Sequence, residues 1–389
     1  MYNIKLINKI SKAGTDVFCT EKYNVSTEAE NPVALMVRSA KLHDMHFDAE
    51  TIAISRAGAG VNNIPCDRCA DEGIIVFNTP GANANAVKEL TLAALLLASR
   101  DIVGGIAWSE ALEANEEVGA KVEAGKSAFA GCELFGKTLG VIGLGAIGGL
   151  VANAGVRLGM KVIGYDPHLS VSAAWNLSGS VIKADSYDDI FTKCDYITLH
   201  IPALPTTKGF INAAAIAKMK DSVKIINLAR GELVNTADLK AALECGKVSK
   251  YVTDFPSADT LGVKNIINIP HLGASTEESE ENCAVMAAAE LCDYIEYGNI
   301  KNSVNYPAVA IPTGGFKVGT RVGICHKNIA NIIAGVTSII SSNGLNIEHM
   351  ANGSKGEYAY TLIETDAAIP KEAVEKMLSV EGVIRTRLI

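Results

Sequence analysis

Lys137 to Asp166 reads KTLGVIGLGAIGGLVANAGVRLGMKVIGYD, and the fold is decided by how this stretch is read. The short apolar run Thr138 to Ile142 predicts a buried parallel strand. Gly143, Gly145 and Gly148 follow as G-x-G-x-x-G. Ile147, Leu150, Val151, Ala154 and Leu158 then recur at helical spacing. A second strand, Lys161 to Tyr165, ends in Asp166. Each part has a physical role. Gly143 permits a tight turn, Gly145 lets backbone approach a pyrophosphate, and Gly148 lets helix and strand pack closely. The free N–H groups at the helix start face phosphates. Asp166 accepts hydrogen bonds from a ribose diol and repels a 2′-phosphate, so NAD is expected over NADP. A bare βαβ turn also collects glycines. The ordered series of strand, turn, helix, strand and acid favours a dinucleotide site over that plainer explanation.

The surrounding composition is that of a globular protein. The chain has 389 residues, 48% apolar and 20% charged, enough for two or three domains. The net charge of −8, with no Lys/Arg cluster, argues against a nucleic-acid partner. No apolar run reaches membrane-span length, and Leu90 to Ala98 suits a buried helix instead. The N-terminal MYNIKLINKI lacks the apolar centre of a signal peptide, so a cytoplasmic location is expected, with no membrane partner. Of nine cysteines, Cys66 and Cys69 form C-x-x-C, but no second pair with zinc spacing exists. Reduced packing thiols and no metal are expected.

Working outward, the class is α/β. Residues 1 to about 90 alternate short strands with helices, among them Ala34 to Val37, Thr51 to Ser55, a helix over Pro65 to Glu72 and Ile74 to Phe77. This predicts a flavodoxin-like substrate domain. After Asp166 the Rossmann-type alternation continues through Tyr196 to His200, Val223 to Asn227, Tyr251 to Thr253 and Asn265 to Ile269. Glu277 to Tyr297 predicts a long helix returning to the first domain. Pro307, Pro312, Gly314 and Gly315 mark a linker. Beyond it, strands at Arg321 to Cys325, Leu345 to Met350, Tyr358 to Thr365 and Val383 to Leu388 alternate with helical stripes, and ANGSKGE (351–357) reads as a turn. That order is a ferredoxin-like βαββαβ unit. The expected organisation is a substrate domain over 1–92, completed by 276–305. A dinucleotide domain spans 93–275, a linker 306–317, and a C-terminal domain 318–389.

Polar residues after the strands collect at the sheet's carboxyl edge. Arg230, in N-L-A-R-G, offers a fork that grips a carboxylate bidentately. His271 follows Pro270. A histidine, with an unperturbed pKa of about 6.5, takes a hydroxyl proton near neutrality. Such a base gains from a carboxylate that fixes its tautomer, and Asp254 and Asp259 are the candidates. In the first domain, Ser55-Arg56-Ala57-Gly58 follows a strand. The N–H groups there suit a substrate carboxylate, and Arg56 with Arg38 suits a phosphate.

GLGAIG with YD, NLARGELV, TDF and PHLGAST together resemble the D-isomer-specific 2-hydroxyacid dehydrogenases across residues 1–310, and the tail resembles an ACT regulatory domain. The resemblance implies NAD-dependent oxidation of a small phosphorylated 2-hydroxy acid. Arg230 would bind and orient substrate, and His271 would accept and donate the proton. Gly143, Gly145, Ala146, Ile147, Gly148, Asp166, Leu228, Ala229, Asp254, Gly273 and Ala274 would contact the cofactor. It also implies a homodimer or homotetramer, with L-serine as effector at His326, Asn328 and Asn346 between subunits. Two departures stand out. The family carries a Glu near F-P-x-x-E, where this chain reads Asp254-Phe255-Pro256-Ser257-Ala258-Asp259, so Asp259 is expected as the partner of His271. Where such ACT domains show Pro-Gly, Ala330-Asn331 stand. Two other readings of this scaffold are a glyoxylate or hydroxypyruvate reductase and a non-catalytic NAD(H)-sensing protein.

Overall fold

The computed structural model describes residues 1–389 and divides them into two compact units, 1–83 with 277–389, and 84–276. In the first unit, strands β1 (Tyr2–Leu6), β2 (Tyr23–Ser26), β3 (Ala34–Val37), β4 (Ala53–Arg56) and β5 (Ile75–Asn78) form a parallel sheet. Its order, β2-β1-β3-β4-β5, is the flavodoxin-like one. β3 is buried at every residue, as a strand covered on both faces must be. One covering element is the helix Glu277–Tyr297, whose Cys283, Ala284, Ala287, Leu291 and Tyr294 share a core with Ile4, Met36 and Phe77. The helix Lys12–Thr15 lies so close to it that a Cβ on Gly14 would fall 2.5 Å from the Ala284 Cβ.

The second unit is doubly wound. Its strands are β6 (Thr138–Ile142), β7 (Lys161–Tyr165), β8 (Ile182–Lys183), β9 (Tyr196–Leu199), β10 (Val223–Asn227), β11 (Val248–Thr253) and β12 (Ile266–Asn268). They pair in parallel in the order β12-β11-β10-β9-β6-β7-β8. Separate cores fill the two faces. Helices 84–99 and 146–157 supply Leu95, Ala98, Val151 and Ala152 to one, and helices 187–193, 213–218 and 236–244 supply Ile190, Ile216 and Leu239 to the other. The strand order reverses between β6 and β9, which is where doubly wound sheets open a crevice at their carboxyl edge. No single helix is long and apolar enough to cross a membrane.

The tail forms β13 (Arg321–Lys327), β14 (Ile347–Lys355), β15 (Tyr358–Thr365) and β16 (Val383–Leu388), antiparallel in the order β14-β15-β13-β16. With helices 332–342 and 371–377 this is the ferredoxin-like βαββαβ arrangement. Val322, Ile324 and Ile363 face the two helices. Cys325, Tyr360 and Leu362, alternating with them, join the core of the first unit. That second sheet face is therefore covered by the chain itself.

Side-chain bonds fix that arrangement. Tyr306 donates to the Ala70 carbonyl (2.7 Å), Tyr360 to that of Gly298 (2.9 Å), and Arg387 to that of Ile295 (2.8 Å). Fully buried Arg321 bonds Glu364 (3.2 Å from Nε), the Tyr297 carbonyl (3.0 Å) and the Pro312 carbonyl (2.9 Å). Within 306–317, Tyr306, Val309 and Ile311 are buried, whereas 312–315 are exposed. Most of 351–357 also departs from expectation. Ala351 to Lys355 pair with β15, and only Gly356 and Glu357 turn.

Candidate active site

The glycine turn after β6 matches its sequence reading. Gly143 has φ +89°, and a Cβ there would meet the His200 carbonyl oxygen at 2.5 Å. A Cβ on Gly148 would sit 1.9 Å from the Gly143 oxygen, which excludes any side chain. Gly145 differs, because a Cβ there would meet no atom within 4 Å. Packing does not require a glycine at that position, whereas a pyrophosphate approaching the backbone does. Gly145 begins the helix 146–157, in which Ala146 and Ile147 open the first turn and no side chain caps the N-terminus. The Asp166 carboxylate accepts from the Leu144 amide (2.9 Å) through one oxygen and from the His168 amide (2.8 Å) through the other. An ionised carboxylate has about four acceptor sites, so each oxygen keeps one for a ribose diol.

The ends of the strands carry the reactive groups. Leu228 and Ala229 follow β10 and lead into Arg230, which is exposed and donates through one nitrogen to its own neighbour, the Ala229 carbonyl, at 2.7 Å. Asp254 follows β11. It is 1% exposed, and neither carboxylate oxygen has a hydrogen-bond partner. Burial raises its pKa, and the charges of His271 and Arg230, with the nearby Gly273 amide, oppose that rise. Gly273 itself is buried, and a Cβ on it would lie 3.3 Å from an Asp254 oxygen. Ala274 follows, half-buried. His271 is exposed, and its ring lies 4.8 Å from that of Phe255.

Asp259 is not brought to His271. Ser257 and Thr260 close a tight turn, in which the Ser257 amide donates to the Thr260 hydroxyl at 2.9 Å, and Asp259 lies within that turn, exposed and without a bond to the imidazole. Asp254 has no hydrogen bond to His271 either, but the imidazole's charge is felt at its carboxyl, where it opposes the rise that burial imposes. Sequence reading passed over His200, at the end of β9. Its Nε2 pairs with the Thr198 hydroxyl at 3.0 Å, its Nδ1 is buried without a partner, and burial lowers its pKa to about 4. His200 is therefore a neutral wall of the turn.

The first unit holds the substrate candidates. The Ser55 hydroxyl is buried within β4 without a partner. The amides of Ala57 and Gly58 bond the Val37 and Arg56 carbonyls, each at 2.8 Å, so those two N–H groups do not form an anion nest. Arg38 pairs with Glu280 at 2.5 Å, and Arg56 donates from Nε to the Arg38 carbonyl at 3.0 Å. Arg56 also lines a cavity of about 550 Å³ with Lys41, His43, Asp44 and Asn62, in which two cations stand with one carboxylate.

In the tail, His326 is buried and held between the Lys327 carbonyl and the Thr361 hydroxyl, both at 2.8 Å, so its ring is not offered to an effector. Asn328 and Asn346 are less enclosed. The first donates through its side chain to the Gly356 carbonyl at 3.2 Å, and the backbone amide of the second donates to the Asp366 carboxylate at 3.0 Å. Glu348, His349 and Glu364 have donor atoms within 4.8 Å of one another, but Glu364 is already committed to Arg321.

Residues 92–273 match the family described as D-isomer specific 2-hydroxyacid dehydrogenase, NAD binding domain. The chain is 36% identical over 286 residues to D-3-phosphoglycerate dehydrogenase of Synechocystis, covering 71% of this chain but only 49% of that protein, about half its length. It is 31% identical over 352 residues to D-3-phosphoglycerate dehydrogenase of Haemophilus influenzae, covering 87% of this chain and 81% of that protein. Among solved structures, NAD⁺-bound 3-phosphoglycerate dehydrogenase of Entamoeba histolytica superposes with a TM-score of 0.60 at 25% identity. That superposition covers 78% of this chain and 98% of the other.

Proposed function

We infer the reaction from one premise: the chain belongs to the D-isomer-specific 2-hydroxyacid dehydrogenases. The reaction is NAD-dependent oxidation of 3-phospho-D-glycerate at C2 to 3-phosphohydroxypyruvate, the first step of L-serine synthesis. The observation that carries it is Asp254, a buried carboxylate with two unpartnered oxygens that feels the charges of an imidazole and a guanidinium. The open backbone at Gly145 and the spare acceptor sites of Asp166 fit NAD. Bound NAD supplies the hydride acceptor. Arg230 neutralises the substrate carboxylate and holds it in place. His271 takes the C2 hydroxyl proton as the carbonyl forms. Asp254 favours the positive charge that His271 then carries. Lys41, beside Arg56 in the same cavity, supports a phosphate on the substrate.

The test is reduction of NAD by the purified full chain with 3-phosphoglycerate, alongside glycerate, which lacks the phosphate. Preference for the phosphorylated acid is expected. NADH-dependent reduction of glyoxylate with no oxidation of 3-phosphoglycerate would instead identify a reductase, and NADH binding without turnover a sensing protein.

We extend the reading to a homodimer or homotetramer. Helix 102–110 has no buried residue and exposes Ile102, Val103 and Ile106, apolar surface that a second copy would cover. A protomer mass in sedimentation at micromolar concentration overturns this. L-Serine as effector is supported only by Asn328 and Asn346, and the absence of binding heat at millimolar serine removes it.

A further inference from the structure

Asn227 is the last residue of β10 and is fully buried. Its Nδ2 donates to the Arg230 carbonyl at 2.9 Å and to the Tyr251 hydroxyl oxygen at 3.1 Å. Its Oδ1 accepts from the amides of Ala229 at 3.2 Å and Arg230 at 3.4 Å. One side-chain amide thus uses both hydrogens and both lone pairs. Three of the four bonds end on the peptide groups of residues 229 and 230. The fourth is anchored on Tyr251, itself buried in β11. The amides of Ala229 and Arg230 have no other hydrogen-bond partner. The Ala229 and Arg230 amides are therefore held through this one side chain, while the Arg230 carbonyl also accepts from the Leu233 amide at 3.3 Å.

We infer that Asn227 is the positioning residue for Arg230, fixing the loop backbone from which the guanidinium reaches the substrate carboxylate. The inference rests on the reading of Arg230 as substrate anchor. Asn227 is enclosed by the fold and does not meet substrate itself. Its effect passes through the φ −155°, ψ 136° backbone of Arg230. The residue type matters, because an aspartate of the same shape could not donate to the Arg230 carbonyl and would set one acceptor against another there. Misplacing a binding group by about 1 Å costs on the order of 10²-fold in rate, so loosening this clamp should be visible in turnover.

The experiment compares the full-length protein with N227A and Y251F, the second removing only the outer anchor. Hydrogen exchange read by mass spectrometry over residues 226–234 should quicken about tenfold or more at Ala229 and Arg230 in N227A, and less in Y251F. With saturating NAD, the KM for 3-phosphoglycerate should rise roughly 10- to 100-fold in N227A, while the NAD Kd stays within about twofold. Unchanged exchange at these amides overturns the inference. So does an unchanged substrate KM accompanied only by a lower active fraction, the mark of a purely structural residue. If N227A does not fold, Y251F decides: faster exchange with raised KM supports the clamp, and wild-type values for both overturn it. If the wild-type protein oxidises no 2-hydroxy acid, the assigned reaction fails, and the exchange measurement still judges the clamp.

Discussion

Replacing Asp254 with asparagine should make the unliganded protein more stable and nearly inactive. Asp254 is 1% exposed and receives no hydrogen bond on either oxygen. Burying an ionised carboxylate costs several kcal/mol, and the charges nearby, Arg230 and His271, sit on exposed side chains that only partly offset it. Asparagine keeps the shape and removes the charge, although its own buried amide still goes unsatisfied at about 1–3 kcal/mol. The net gain should be about 1–3 kcal/mol, or roughly 2–10 °C in melting temperature for a unit of this size. The sign follows from linkage. Burial raises the folded pKa above the ordinary value of 3.8, so the carboxyl's contribution is fully present below 3.8 and is lost as pH rises through the folded value. The advantage of asparagine should vanish near pH 3.8 and be complete at pH 8. Scanning calorimetry of both proteins without NAD at pH 8 measures it, and activity at the same pH should fall because His271 loses the carboxylate that favours its charge. An asparagine variant melting at or below wild type at pH 8 would refute the account of Asp254 as a strained, functional acid.

Four further outcomes follow from the same structure. His271→Asn should lower kcat by roughly 10²- to 10⁴-fold with little change in NAD affinity by fluorescence titration, and near-normal turnover would remove it from proton transfer. Asp166→Ser should improve the ratio of NADP to NAD efficiency. It should also weaken binding of both cofactors, since the carboxylate holds the Leu144 and His168 amides, and an unchanged ratio in steady-state kinetics would count against Asp166 as selector. Glu290 is 6% exposed, bonded only by Asn302 at 2.6 Å, and burial raises its pKa from 4.5 to about 7. Wild type should therefore lose up to about 3 kcal/mol between pH 4.5 and 7 that Glu290→Gln does not lose, and parallel urea-stability profiles across that window would contradict this. Arg321→Met should cost about 3–5 kcal/mol in urea unfolding by stranding Glu364, with Arg321→Met/Glu364→Leu recovering part, and a loss under 1 kcal/mol would show the pair to be incidental.

The layered fold was legible where local signals and pairing agree. β3 and β10 read as strands from short β-rich apolar runs and are strands because neighbours cover both faces. β2 and β8 went unread because they are short and carry little apolar pattern, with Tyr23 the only buried residue of the first and none in the second. They exist because a parallel neighbour supplies the ladder. ANGSKGE looked like a turn because Gly, Asn and Ser favour turns, yet β15 offers a pairing edge that outweighs those preferences. The Pro and Gly residues near 312–315 suggested a free linker, and they are exposed, but the Pro312 carbonyl is held. The signal against that was Arg321, and a charged residue within an apolar strand does not announce from sequence which carbonyls it will hold.

The site was legible in its parts but not in its pairing. G-x-G-x-x-G, Arg230 and His271 each follow a strand, and the direction of a parallel sheet puts strand ends on one edge whatever the loops do. Choosing between Asp254 and Asp259 needed something else. The two lie five residues apart, and spacing along the chain says nothing of which one enters the interior. Asp254 directly follows β11, so the last pleat of a buried strand takes it in, whereas Asp259 belongs to a turn closed by Ser257 and Thr260. The same reasoning explains Asn227. A polar residue ending a buried strand must find partners for its whole amide, and Asn227 finds them in the Tyr251 hydroxyl and in the peptide groups of the loop that carries Arg230. At the ends of β10 and β11, Asn227 and Asp254 are enclosed by the fold, and the exposed side chain of Arg230 follows beyond the first.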